Sequence, residues 1–130
     1  MTKAEKSMVL EIKAQIKENK QFTVAAILRV FQMQTATEQS SNMTVVDNGV
    51  GFNGRDAEIG SSFAKQILNW IRDKQEGKPL RYDFPLSPRQ LQVAQRFMPK
   101  YAAQIMSFGF DDNTYISKIW AKIESERLAS

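Results

Sequence analysis

The sequence predicts an all-α domain of about five helices with one long glycine-containing loop. Apolar residues recur at intervals of three and four in five segments, which is the spacing of one helix face. Residues that start or end helices stand beside these segments. At 130 residues the chain is long enough for one domain with a core and too short for two. We therefore predict a single domain over 1–130.

The N-terminal part predicts two helices. The first covers about 3–19, and its apolar face comprises Val9, Ile12, Ile16 and, as a further candidate, Met8. Thr23 is a suitable N-cap for the second helix. Its apolar face comprises Val24, Ile27, Leu28 and Phe31. The polar run TATEQSSN ends it near 36–40, and residues 41–54 then form the loop. MTVV at 43–46 could be one short strand, so a minor β hairpin is the alternative there.

Asn53 has the features of the N-cap of a third helix, with Asp56 and Glu58 in the first turn, where carboxylates favour the helix dipole. The apolar face of this helix comprises Ile59, Phe63, Ile67, Trp70 and Ile71. Gly77 is a suitable C-terminal stop, and Pro79 follows it.

The stretch LSPRQL at 86–91 is the clearest helix start in the chain. Ser87 is the N-cap, Pro88 is the first helical residue and Gln90 completes a capping box. The inward residues of this fourth helix are Leu91, Ala94, Phe97, Met98, Tyr101 and Ile105. Pro99 should kink or split the helix, and Gly109 ends it. A last helix over about 113–127 is predicted after Asp112, a suitable cap.

Gly49, Gly51 and Gly54 spell G-x-G-x-x-G, the pattern of a dinucleotide-binding loop. That loop must follow a buried strand inside a strand–helix–strand unit, whereas only TVV precedes it here. Asp73 lies at a suitable distance downstream but falls inside the third helix. We therefore interpret this stretch as a turn at Asn48–Gly49 followed by the junction between the long loop and the third helix. In this junction Phe52 faces either the core or a partner.

The residues needed for most catalytic sites are missing. The chain has neither histidine nor cysteine, which excludes thiol nucleophiles and the commonest general base. Ser61 and Ser62 have no histidine to activate them. A carboxylate cluster of Asp47, Asp56, Glu58 and Asp83 could hold Mg²⁺, although the spacing does not require it. We expect no enzyme, cofactor or metal. No apolar run approaches the roughly 20 residues of a membrane helix, so we expect a cytoplasmic protein.

Positive charge is concentrated in residues 78–100, which contain five basic residues and one acidic residue and so match the net charge of +4. Arg89, Gln92, Arg96, Lys100 and Gln104 recur at steps of three or four on one face of the fourth helix. Lys78 and Arg81 precede this row, and no acidic residue interrupts it. The row predicts contacts with phosphates. The alternative is an ordinary solvated face. Tyr82, beside Arg81, could stack on a base or pack in the loop.

The segments GFNGRDA, LSPRQ and PKYAAQI together resemble a small helical domain of phage and prophage proteins. That domain has the pattern G-F-N-x-x-D-A, then L-[ST]-P-[KR]-Q and K-Y-x-x-Q, and occurs alone or attached to phage helicase-like proteins. The match covers 31–106. The pattern residues are Gly51, Phe52, Asn53, Asp56, Leu86, Pro88, Gln90, Lys100 and Tyr101.

The resemblance implies a phage origin and a role in nucleic-acid transactions in the bacterial host cell. We therefore expect a non-enzymatic accessory protein that binds nucleic acid or a nucleoprotein complex. The alternative is an interaction protein that inhibits a host machine, such as a defence complex or a polymerase. Its contacts would come from the loop around Val50 and Phe52 and from the run Tyr82–Phe84.

Overall fold

The computed structural model describes residues 2–41 and 52–108, with the side chains of 34–41 and 107–108 left out. Its elements are α1 (Lys3–Glu18), α2 (Lys20–Ser41), α3 (Ala57–Gln75), α4 (Pro88–Phe97), a 3₁₀ turn (Met98–Tyr101) and α5 (Ala102–Phe108). The described residues contain no strand, and the all-α prediction is confirmed. The candidate strand at 43–46, the turn at Asn48–Gly49 and the predicted last helix lie outside the described residues.

Helix α2 is the centre of the fold. It packs against α1, α3, α4 and α5, and every residue from Phe22 to Leu28 is at most 4% exposed. A helix that is buried on all sides must be apolar on all sides. The predicted single apolar face of α2 was therefore too narrow, since the run FTVAAIL is buried around the whole circumference.

The N-cap of α2 is Asn19, and the prediction of Thr23 was wrong. The Asn19 Oδ1 accepts hydrogen bonds from the backbone N–H groups of Gln21 and Phe22, at 3.1 and 3.2 Å. Asn19 also ends α1, so one residue forms the whole corner between the two helices. A corner this tight starts α2 earlier than the apolar periodicity suggested.

Thr23 instead lies inside the helix and is fully buried. Its hydroxyl donates to the carbonyl of Ile16 at 2.6 Å and accepts from the Gln95 Nε2 at 3.3 Å. Ile16 belongs to the last turn of α1, whose carbonyls have no partner within the helix. The Thr23 hydroxyl therefore links α1, α2 and α4 through one buried polar group.

Helix α1 begins with a capping box that the sequence analysis missed, in which Thr2 and Glu5 exchange side-chain to backbone hydrogen bonds. Val9, Ile12 and Ile16 are buried as predicted. Met8 is 54% exposed. It lies about 100° around the helix from Val9, and it does not join the buried face.

The start of α4 follows the prediction in each part. The Ser87 Oγ accepts from the Gln90 N–H, the Gln90 side chain accepts from the Ser87 N–H, and Pro88 is the first helical residue. Pro99 interrupts the helix as expected, and the chain continues through the 3₁₀ turn into α5.

Helix α3 buries Phe63 and Ile67 as predicted, but its buried face also includes two small residues and excludes Ile59. Its buried residues are Gly60, Phe63, Ala64 and Ile67. Ile59 is exposed, and Trp70 and Ile71 are half-buried. The two small residues let α3 approach its neighbours closely, and a pattern search limited to large apolar side chains overlooks them. Gly77, with a φ of +72°, ends this segment as predicted.

Thr23→Val should lower the free energy of unfolding by about 1–3 kcal/mol, because it removes the hydroxyl partner of a buried carbonyl without changing the side-chain shape. Urea denaturation measures this loss. Ser7→Ala, which removes an exposed hydroxyl from α1, is the control and should stay within about 0.5 kcal/mol of the wild type. Equal stability of Thr23→Val and wild type would contradict the link assigned to Thr23.

Candidate functional site

Four of the pattern residues meet at one buried carboxylate, namely Asn53, Asp56, Lys100 and Tyr101. Asp56 immediately precedes α3 and is 6% exposed. The Tyr101 hydroxyl donates to the Asp56 Oδ2 at 2.7 Å. The Lys100 Nζ lies 2.6 Å from the same oxygen. Two residues at the end of the 3₁₀ turn thus hold the residue that begins α3.

Asn53 closes this arrangement. Its backbone N–H donates to the Tyr101 hydroxyl at 3.0 Å, and its Oδ1 accepts from the Asp56 N–H at 3.0 Å. The hydroxyl of Tyr101 therefore both accepts and donates. Asn53 makes the predicted type of capping bond, but the helix starts later, because residues 54–56 form a turn before Ala57. The prediction of Asn53 as the helix N-cap was wrong by three residues.

The protonation state of Tyr101 is fixed by its surroundings. Burial raises the pKa of the Tyr101 hydroxyl, and the hydrogen bond to Asp56 raises it further, whereas the bond from the Asn53 backbone acts in the opposite direction. The phenol therefore stays protonated well above the usual tyrosine range. The Tyr101 hydroxyl therefore keeps its proton and donates it in the hydrogen bond to Asp56.

Phe52 faces the core, which decides between the two orientations left open by the sequence. Its ring packs edge-on against Tyr101 and Phe97, with centroids 5.5 and 6.4 Å apart. A Cβ placed on Gly60 would lie 2.7 Å from three atoms of this ring. The Phe52 ring therefore packs directly against Gly60, at a distance that leaves no room for a side chain at residue 60. Gly51 lies outside the described residues.

A pair of amide side chains, which the sequence did not suggest, connects α3 to α4. The Gln66 Nε2 donates to the Gln90 Oε1 at 2.8 Å, and the Gln90 Nε2 donates to the Gln66 Oε1 at 3.1 Å. Gln66 also donates to the carbonyl of Pro85. Gln90 therefore both completes the capping box and positions α4 beside α3. The second role could not be predicted from the sequence, because Gln66 and Gln90 are 24 residues apart.

The residues predicted to bind phosphates divide into two groups. Arg89, Gln92 and Arg96 are exposed on the outer face of α4. In the ranges 2–41 and 52–108, no carboxylate pairs with either arginine. Because these residues are three and four positions apart, their side chains lie in one row along the helix.

Lys78, Arg81 and Lys100 have partners already. The Lys78 Nζ lies 2.9 Å from Glu76 and 3.9 Å from Asp73. Lys100 pairs with Asp56. Arg81 lies over the ring of Tyr82 at 5.5 Å. No acidic residue interrupts the row in the sequence. In the fold, however, carboxylates from the two ends of α3 pair with Lys78 and with Lys100.

The carboxylate cluster considered as a metal site does not assemble from the residues described. Asp56 is buried, whereas Glu58 and Asp83 are exposed. Within these residues no group of three or more acidic side chains is placed to hold a metal ion. Asp47 lies outside them. No helix of the described segments is long and apolar enough to cross a membrane.

Gly60→Ala should destabilise the protein by about 1–2 kcal/mol, because overpacking against the Phe52 ring outweighs the gain in helix propensity. Gly54→Ala is the matched control, since a Cβ at Gly54 meets nothing within 4 Å, and should be nearly neutral. Adding Phe52→Leu to Gly60→Ala should recover part of the loss. Equal stability of the two alanine variants in urea denaturation would contradict the assigned packing.

Tyr101→Phe should make the stability less sensitive to alkaline pH. Because the pKa of Tyr101 is raised in the folded state, its stabilising contribution is complete below about pH 10 and is lost as the pH rises further. Urea denaturation between about pH 8 and 11 should show a steeper loss of unfolding free energy in the wild type than in the variant. Parallel losses would contradict this role of Tyr101.

Comparisons with known proteins leave the site to be interpreted from its geometry. No family model, curated protein or solved structure matches the chain. The resemblance to the phage and prophage domain therefore stays a prediction from the sequence pattern. What the structure adds is the position of the pattern residues. Those within the described ranges form a buried junction between α3 and the 3₁₀ turn and start α4.

Proposed function

We propose that this is a non-enzymatic, phage-type accessory protein that binds nucleic acid or a nucleoprotein complex in the bacterial host cell. The observation that carries the proposal is the row Arg89, Gln92 and Arg96 on the outer face of α4. Both arginines of this row are exposed, and neither pairs with a carboxylate in the described part of the chain. We call these three residues the α4 row.

The α4 row has a geometry suited to a phosphate backbone. Arg89 and Arg96 are seven residues apart, or about 10 Å along the helix axis, and each strand of duplex DNA carries one phosphate per roughly 3.4 Å. The two guanidinium groups can therefore contact different phosphates of one strand. Their planar, forked donors match phosphate oxygens, and Gln92 between them can donate to a phosphate or a base edge.

Helix α1 provides the contrast with an ordinary solvated face. Its outer surface mixes lysines with glutamates, and the exposed ones include Lys6, Glu11, Lys17 and Glu18. Charges of both signs at close spacing cancel at a distance and keep a surface soluble without attracting an anionic polymer. The α4 row contains no acidic residue, and its positive potential is not cancelled in this way.

Lys78, Arg81 and Lys100 are assigned a smaller share of the binding. To contact a phosphate, Lys100 would leave Asp56, and a buried carboxylate that loses its cation is costly. Lys78 would give up two carboxylates on the surface, which costs less because exposed ion pairs are weak. We therefore rank Lys100 below Arg89 and Arg96, although the sequence placed all of them in one row.

Arg89→Ala combined with Arg96→Ala should weaken binding to duplex DNA and lower the dependence of log affinity on log salt by about 1.8, or about 0.9 for each lost phosphate contact. Fluorescence anisotropy of labelled DNA over a range of salt concentrations gives both quantities. The stability of this double variant should stay within about 0.5 kcal/mol of the wild type, because both side chains are exposed.

The matched control is Lys6→Ala with Lys17→Ala, which removes the same charge from exposed positions on α1. It should leave the salt slope near the wild-type value. If the two double variants lower affinity and slope equally, binding follows net charge alone and the α4 row has no special role. If the wild type binds neither DNA nor RNA, the proposed function is wrong.

One observation supports the alternative, an interaction protein that inhibits a host machine. Tyr82 is 65% exposed, and exposed aromatic side chains are frequent in protein interfaces. Phe52 cannot serve as a contact because it is buried, and Val50 lies outside the described residues. Capture of one defined host complex by the wild type, lost with Tyr82→Ala and kept with Arg89→Ala and Arg96→Ala, would favour this alternative over the first proposal.

A further inference from the structure

Two cation–π pairs, one on the C-terminal half of α3 and one in the loop before α4, are joined by a hydrogen bond. The Trp70 Nε1 donates to the carbonyl of Tyr82 at 3.0 Å. The Lys74 Nζ lies 5.0 Å from the centroid of the Trp70 ring, and the Arg81 guanidinium lies 5.5 Å from that of Tyr82. We call Trp70, Lys74, Arg81 and Tyr82 the aromatic–cation cluster.

Tyr82 is the ring of this cluster that is open to a ligand. Its side chain is 65% exposed, while its backbone is held to α3 by the bond from Trp70. A tyrosine has few rotatable bonds, so little conformational entropy is lost when its ring is covered. Arg81 occupies one side of the ring at a distance typical of cation–π contacts. The Tyr82 ring is therefore an exposed flat surface with a fixed backbone and one cation, Arg81, beside it.

We infer that this cluster binds single-stranded nucleic acid, with an unpaired base stacked on Tyr82. The inference deepens the proposed function and rests on it. Aromatic side chains beside cations are the common means of holding single strands, because every base offers a π face and every nucleotide a phosphate. In a duplex the base faces are already stacked on one another, so an exposed tyrosine gains nothing from them.

The α4 row follows the cluster along the chain. The loop at 81–86 leads directly into α4, and Arg89 lies in the first turn of that helix. The Gln66–Gln90 pair and the bond from Gln66 to Pro85 hold this loop and the start of α4 against α3. In the proposed complex, a strand with one base on Tyr82 continues with its phosphates toward Arg89 and then Arg96.

The experiment compares a labelled thymidine oligonucleotide with a duplex of the same length, using wild type, Tyr82→Ala and Tyr82→Phe. Tyr82→Ala should weaken single-strand binding by about 5- to 150-fold, the range expected for loss of one base–aromatic stack. Its salt slope should not change, because no charge is removed. Tyr82→Phe keeps the ring and should bind within about twofold of the wild type. Duplex binding should be equal in all three.

Leu10→Ala is the control for general loss of apolar surface, because Leu10 on α1 is also 65% exposed, and it should leave single-strand binding unchanged. The inference is overturned if Tyr82→Ala binds the single strand as well as the wild type does, or weakens single strand and duplex equally. If duplex binding still depends on Arg89 and Arg96 in that case, the proposed function stands and only the stacking site is wrong. If the wild type binds neither nucleic acid, both fail.

Discussion

The hydrogen bond from Tyr101 to the buried carboxylate of Asp56 is the contact on which the arrangement of the site depends. Helix α3 packs mainly on α2 and reaches the α4 region through side chains. In the described part of the chain these contacts include the Asp56–Tyr101 bond, the Gln66–Gln90 pair and the tilted packing of the Phe63 and Phe97 rings. A buried carboxylate without its partners is strongly unfavourable. The Asp56 contacts thus hold the start of α3 against the 3₁₀ turn that follows α4.

This constraint separates the residues that build the domain from those offered for binding. One group of residues stabilises the fold through contacts among its own members, namely Phe52, Asn53, Asp56 and Tyr101. Lys100 also has a structural role, since its ammonium group pairs with the buried carboxylate of Asp56. Among the residues that the structure describes, the exposed arginines of α4 and the exposed ring of Tyr82 make no contact of this kind. The sequence pattern is therefore informative about architecture, whereas the proposed binding residues lie mostly beside it.

Local signals predicted the parts of the fold that local physics decides. The Ser87 and Gln90 side chains accept hydrogen bonds from backbone N–H groups at the start of α4, and Pro88 has no N–H that needs a partner. All of these groups lie within four residues, so the start of that helix was predictable from the sequence. Pro99 removes an amide wherever it stands, so the interruption was also predictable. The run FTVAAIL is apolar at nearly every position, which is typical of a helix buried on all sides, whereas the predicted single face used only part of it.

Contacts between distant residues could not be predicted in this way. The pairing of Lys100 with Asp56 joins residues 44 positions apart, so one cation of a row that the sequence presents as free is paired with a buried carboxylate. The same holds for Thr23, whose partner Gln95 comes from another helix. The glycine at residue 60 needed the position of the Phe52 ring to explain it. Periodicity assigns a face to a helix, but it does not say which side chains meet there.

The most direct test is a map of backbone amide chemical shifts as an unlabelled thymidine oligonucleotide is added to isotope-labelled protein. The account predicts that the largest changes lie at Arg89, Gln92 and Arg96 and in the loop around Tyr82. The amides around Asn53 and Asp56 and those of α1 should change little, because they belong to the framework. Changes concentrated on α1 or around Asp56, with α4 unaffected, would contradict the division between framework and binding surface.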